Sequence, residues 1–255
     1  MTFRWAMIGL VTALGGAGAL GCERSDRDPA PAAEAGNGES GVSVARSARG
    51  DRPRADTAAP PPVAGDGRRT ILFVGTSLTA GLGIGRERAF PALIQRRLDS
   101  AGLSYRVVNA GESGETSAGA LRRLDWLLRQ PLDVFVLETG ANDGLRGLGV
   151  DSMRANIQAI LDRAKRAHPS AKLFVVAMEA PPNLGEAYTS SFRGVYPELA
   201  ARNGATLVPF LLDGVAGRAE LNQDDGMHPN IEGERIVAET VWRALRPTLE
   251  ARRLD

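Results

Sequence analysis

Four short stretches carry the residues that can do chemistry. In Val74-Gly75-Thr76-Ser77-Leu78-Thr79-Ala80-Gly81, a serine follows the apolar run Ile71-Leu72-Phe73-Val74 and a glycine. That pattern reads as a buried strand delivering Ser77 to the rim of a sheet on a tight turn. An ordinary Gly-Thr-Ser turn with an idle serine has the same local form. The second stretch is Asn109-Ala110-Gly111-Glu112-Ser113-Gly114-Glu115-Thr116-Ser117, the third Gly140-Ala141-Asn142-Asp143-Gly144, and the fourth Asp224-Asp225-Gly226-Met227-His228-Pro229-Asn230. Glycine turns bring backbone N–H groups close to a ligand. An asparagine offers a side-chain N–H in the same direction. Ser77, Gly114 and Asn142 can thus make a three-donor oxyanion hole for a tetrahedral acyl intermediate.

The chain holds two histidines, His168 and His228. His168 precedes a proline at the end of a helical pattern and reads as structural or solvated. His228 lies three residues after Asp225, so the carboxylate can turn back to Nδ1, fix the tautomer and leave Nε2 for Ser77. The same spacing also suits a helix start, with Asp225 or Asn230 as the cap and His228 on the surface. One histidine with scattered carboxylates gives no convergent metal-ligand spacing. The series Gly81-x-Gly83-x-Gly85 lacks the spacing of a nucleotide loop. No metal or organic cofactor is expected.

The elements that must position these residues alternate in a regular way. Strands are expected at Ile71–Val74, Tyr105–Ala110, Val134–Leu137, Leu173–Ala177 and Thr206–Val208. Between them, helical periodicity runs through Phe90, Leu93, Ile94, Leu98 and Ala101, then through Leu121, Leu124, Leu127 and Leu128. A third helix, capped by Asp151, carries Met153, Ile157, Ile160 and Leu161. A fourth carries Phe192, Val195, Tyr196 and Leu199 and ends at Asn203-Gly204. The last runs from Ile231 to about Leu245. This βα alternation predicts a parallel sheet with helices on both faces. Each candidate residue then sits beyond a strand's carboxyl end, or just before the last helix, where open α/β sheets gather ligands.

The remaining composition narrows the class. The 255 residues have 43% apolar content and a formal net charge of +1. That suffices for one sizeable domain and gives no electrostatic case for nucleic acid. Residues 1–22 read as an export signal: Arg4, then an apolar run from Ala6 to Leu20 too short and glycine-rich to span a bilayer comfortably. The run ends Ala19-Leu20-Gly21-Cys22, which resembles a bacterial lipobox with Cys22 as the lipidated residue. Cys22 is the only cysteine, so no disulfide framework is expected. Residues 23–68, rich in Ala, Pro, Gly, Ser, Asp and Arg, read as a disordered tether, and 69–255 as the folded domain. The expected location is the cell envelope, lipid-anchored and facing the periplasm, with secretion as the alternative. Glu23 mildly favours the outer membrane.

The four stretches, in this order, resemble the GDSL or SGNH hydrolases, most closely their arylesterase, thioesterase I and lysophospholipase L1 branch. The likeness covers residues 70–247. It implies a flavodoxin-like three-layer α/β/α sandwich with a five-stranded parallel sheet. It also implies Ser77 as nucleophile, His228 as base, Asp225 as its orienter, and the Ser77 N–H, Gly114 N–H and Asn142 side chain as oxyanion hole. Thr76 stands where the name-giving motif has an aspartate that braces the nucleophile turn; threonine brings one hydroxyl and no charge. The implied activity is hydrolysis of a small acyl ester, thioester or lysophospholipid through an acyl-enzyme. Carbohydrate O-acetyl hydrolysis, or lipid or glycan binding without catalysis, are the alternatives. Leu145, Leu148, Pro181, Pro182, Leu184 and Tyr188 are the candidate lining of an acyl groove. No protein partner is implied.

Overall fold

The computed structural model describes residues 67–252. The export signal, Cys22 and the tether up to residue 66 lie outside the described residues. Five strands form one sheet: β1 (Arg69–Gly75), β2 (Tyr105–Gly111), β3 (Val134–Leu137), β4 (Lys172–Val176) and β5 (Thr206–Val208). All neighbours are parallel, in the order β2-β1-β3-β4-β5. Ile71 aligns with Val107 on one side and Val134 on the other. The central strands β1 and β3 are apolar on both faces, as a sheet covered by helices requires, and Ile71, Phe73, Val74, Val134, Phe135 and Val136 are fully buried.

Helices cover both faces. Helix α2 (Phe90–Ser100) packs against α7 (Ile231–Ala251), while α3 (Ser117–Leu127), α5 (Val150–Ala167) and α6 (Glu186–Asn203) pack in series. Phe73 meets Phe90 edge to face at 5.6 Å, which fastens α2 to β1. The layers match the expected three-layer fold. Among the described residues no helix is long and apolar enough to cross a membrane.

Several boundaries differ from the sequence reading. Asp151 does not cap α5: the N-cap is Gly149, and Asp151 sits in the first turn, where its charge suits the helix N-terminus and pairs with Arg154. Helix α7 continues through Pro247 to Ala251, because Leu249 one turn from its end is fully buried. Two short helices, α1 (Ser77–Ala80) and α4 (Ala141–Leu145), replace stretches read as loops. Both begin at a strand's carboxyl end and carry site residues. His168 ends α5, and its ring meets the Leu128 carbonyl at 2.9 Å, in keeping with a structural role.

Candidate active site

Ser77 opens α1, with Thr76 as N-cap in extended conformation and its hydroxyl accepting from the Leu78 N–H. The turn rests on a residue that sequence reasoning did not single out. Glu138, one residue beyond β3, is 1% exposed and lies beneath the turn. Its carboxylate accepts from the Thr76 N–H at 2.8 Å, the Thr76 hydroxyl at 2.9 Å and the Thr79 hydroxyl at 2.9 Å. Burial raises its pKa, and the hydrogen bonds from Thr76 and Thr79 pull it back down. Gly75 is required here: a Cβ would lie 2.0 Å from the Thr79 hydroxyl and 2.7 Å from a Glu138 oxygen. The carboxyl group absent at Thr76 is therefore supplied by Glu138, just beyond β3.

His228 comes from the loop before α7. A bridge between Asn222 and Pro229 closes that loop, and the Gln223 amide ties it to the carbonyls of Leu82 and Pro229. Asn230 caps α7, its side chain accepting from the N–H groups of Glu232 and Gly233. The capping alternative thus falls to Asn230, and Asp225 is left for the imidazole. Asp225 Oδ2 lies 2.6 Å from His228 Nδ1. Its other oxygen accepts from the N–H groups of His228 at 3.0 Å and Met227 at 2.9 Å. These backbone bonds, then the imidazole, lower the Asp225 pKa to about 2. An ionised carboxylate can only accept, so Nδ1 carries the proton and Nε2 the lone pair. Ser77 Oγ lies 2.8 Å from Nε2, placed to donate to it.

The second and third stretches meet around Ser77. Gly114 has φ +76°, a backbone that glycine adopts without strain. Asn142 lies in the first turn of α4, and one amide N–H donates to the Glu115 carbonyl at 3.0 Å, leaving the second for the cavity. Among the described residues no group takes up the N–H of Ser77 or Gly114. Two neighbours of Asn142 hold the same turn. Asp143, 3% exposed, accepts from the Ser117 N–H at 2.8 Å and hydroxyl at 2.6 Å, and Arg146 donates to the Gly114 carbonyl at 2.8 Å. Sequence reasoning assigned neither of them a role.

Ser77, Gly114, Asn142 and His228 all face one cavity of about 640 Å³. Of the residues expected along an acyl groove, Leu145, Pro181 and Pro182 line it. Leu148, Leu184 and Tyr188 do not. The Tyr188 hydroxyl instead donates to the Leu148 carbonyl at 2.7 Å, and its ring stacks on Phe192. The remaining apolar wall comes from Leu82, Met178, Phe210, Leu212, Ala216 and Met227. The apolar run after β5, Phe210-Leu211-Leu212, was the available signal for that side. Among the described residues no group of three or more His, Cys, Asp or Glu side chains is placed to hold a metal ion.

Comparison with known proteins identifies the family and the fold. Residues 73–236 match the GDSL-like lipase/acylhydrolase family. The chain is 40% identical over 182 residues to esterase TesA of Pseudomonas aeruginosa, an alignment spanning 71% of this chain and 90% of that protein. It is 36% identical over 179 residues to thioesterase 1/protease 1/lysophospholipase L1 of Escherichia coli K12, covering 70% and 84%. Among solved structures, a crystal structure of TesA superposes with a TM-score of 0.66 at 40% identity, over 70% of this chain and 99% of that one.

Proposed function

Because the chain belongs to the GDSL-like lipase/acylhydrolase family and is a serine-type ester hydrolase, we propose that Ser77 is its nucleophile, His228 its general base and Asp225 the group that orients the base. One observation carries the assignment: an unbroken hydrogen-bond line from Asp225 through His228 to Ser77, ending on the cavity wall. Ser77 Oγ attacks the carbonyl carbon of an ester or thioester as His228 Nε2 takes its proton. The oxyanion forms among the Ser77 N–H, the Gly114 N–H and the free Asn142 N–H. As the intermediate collapses, His228 returns the proton to the leaving oxygen or sulfur. His228 then activates water, which attacks the acyl-enzyme and releases the acid. The apolar wall suits the acyl chain of the substrate.

The test is p-nitrophenyl butyrate hydrolysis by the purified protein beside its Ser77→Ala and Asp225→Asn variants. Ser77→Ala should lose turnover. Asp225→Asn should keep the fold but lower kcat by about ten-thousandfold, since an amide that donates to Nδ1 favours the wrong tautomer. Equal rates in wild type and Ser77→Ala, with circular dichroism unchanged, would sink the assignment.

The cellular setting forms a second part of the proposal, supported by sequence alone. The lipobox-like Ala19-Leu20-Gly21-Cys22 would place a lipid on Cys22 and tether the enzyme to the envelope membrane, where lipid esters and lysophospholipids occur. Labelled palmitate should enter the wild-type protein in the cell and fail to enter Cys22→Ser.

A further inference from the structure

Gly114 stands on the boundary of two cavities. One is the apolar ester cavity; the other is a polar cleft of about 410 Å³ walled by Glu112, Ser113, Gly114, Arg122, Arg123 and Arg146, among others. The acyl and leaving parts of an ester diverge from the carbonyl carbon. With the leaving atom at His228 and the chain in the apolar cavity, the cleft beyond Gly114 is open to the far end of the leaving group. Its charges are unevenly used. Arg123 is neutralised by Glu115, with two contacts of 2.6 Å. Arg146 spends one N–H on the Gly114 carbonyl and faces no carboxylate partner among the described residues. Arg122 makes no hydrogen bond or ion pair among them and is exposed. Of the two carboxylates on the wall, Glu115 is taken up by Arg123, which leaves Glu112 to oppose these two guanidinium groups. Two forked donors beside a glycine-rich turn match the oxygens of a phosphate.

We propose that the Arg122–Arg146 cleft is a subsite for a phosphate carried by the leaving group, so that this hydrolase selects phosphate-bearing esters or thioesters over neutral ones. The proposal rests on the reading of Ser77 as nucleophile. The shared chemistry has two sources, the glycerophosphate of a lysophospholipid and the phosphopantetheine of a thioester carrier.

The test uses two matched pairs that differ only in the phosphate: monooctanoylglycerol with octanoyl lysophosphatidic acid, and S-octanoyl pantetheine with S-octanoyl phosphopantetheine. Turnover is measured with the wild-type protein, Arg122→Gln and Glu112→Gln. Binding of the same four compounds is measured by calorimetry in the Ser77→Ala background, with and without each change. The wild type should prefer the phosphorylated member. Arg122→Gln should lower that preference about tenfold, and Glu112→Gln should raise it. An effect confined to the glycerol pair assigns the lipid head group, and one confined to the pantetheine pair assigns the thioester carrier. No preference in the wild type, or a preference that neither variant moves, overturns the subsite. If phosphate-dependent binding responds to Arg122→Gln but nothing is hydrolysed, the subsite stands and the nucleophile assignment falls.

Discussion

Glu138 is the residue on which the nucleophile turn depends, and its removal should be felt in two ways. Glu138→Ala would leave the Thr76 N–H and the hydroxyl protons of Thr76 and Thr79 buried without their acceptor. Leaving buried donors unpaired costs about 1–3 kcal/mol for each group, so thermal unfolding should show the variant several kcal/mol less stable. Glu138→Gln keeps one acceptor for the Thr76 N–H, and the hydroxyls can rotate to accept from its amide. It should recover most of the stability, while kcat for butyrate falls about tenfold as the Ser77 turn loosens. An unchanged unfolding temperature in Glu138→Ala would show that the turn does not rest on this carboxylate. The residue was not legible in the sequence, and the reason is physical. A glutamate after an apolar strand reads as the point where the chain reaches water. Only the pairing of β1 with β3 places it under Gly75. Ser77, Gly114, Asn142, Asp225 and His228 were legible because each is an unusual residue type at the end of a strand or before a helix, where such types have few structural reasons to gather.

At the level of elements, α4 and α7 do the positioning. Helix α4 and its C-cap reach the strand-two loop at Gly114, Glu115 and Ser117 through Arg146, Asn142 and Asp143, so two of the three proposed oxyanion donors, at Gly114 and Asn142, are tied together. Helix α7 reaches α2 in a different way. Glu234, 2% exposed, accepts from the Phe90 N–H at the start of α2, whose N-cap Ala89 supplies no side chain. Burial raises the Glu234 pKa from 4.5 to about 8, against the lowering effect of that single bond. Between those two values the folded protein keeps a proton that the unfolded chain has released. Unfolding then releases a proton, and stability falls as pH rises. Above about pH 8 both states are ionised and the dependence ends. Glu234→Gln should therefore unfold at a temperature that gains on the wild type steadily from about pH 5 to pH 8. A constant offset across that range would show that the carboxyl titrates alike in both states. Periodicity located α2 and α7 well because their apolar stripes are wide. It missed α1 and α4, which are too short to show a period and are stabilised by tertiary bonds.

For the whole molecule, the sheet order sets the shape of the substrate space. Ser77 leaves the interior strand β1, and apart from Leu78 and Leu82 the apolar wall comes from segments after β3, β4 and β5, so the cavity runs along the carboxyl edge toward β5. Sequence reading found the β3 and β4 portions at Leu145, Pro181 and Pro182. It could not see how far the cavity extends, because Ala216 and Gly217 define space by bringing only a methyl group or no side chain at all. That space carries a chain-length prediction. Each methylene buried there is worth about 0.8 kcal/mol, or about fourfold in kcat/KM, so p-nitrophenyl esters should improve with each added carbon until the wall is reached. Ala216 is exposed at the cavity wall, so a larger side chain can enter without disturbing the core. Ala216→Trp should fill the end toward β5. If it displaces three methylenes of a decanoyl chain, the loss is about 2.4 kcal/mol, roughly fiftyfold in kcat/KM. Butyrate is short enough to stop before that wall and should change little. A series from butyrate to decanoate, run with both proteins, reads the difference directly. Equal losses at every chain length would place the acyl chain elsewhere and leave the β5 side of the cavity for another part of the substrate.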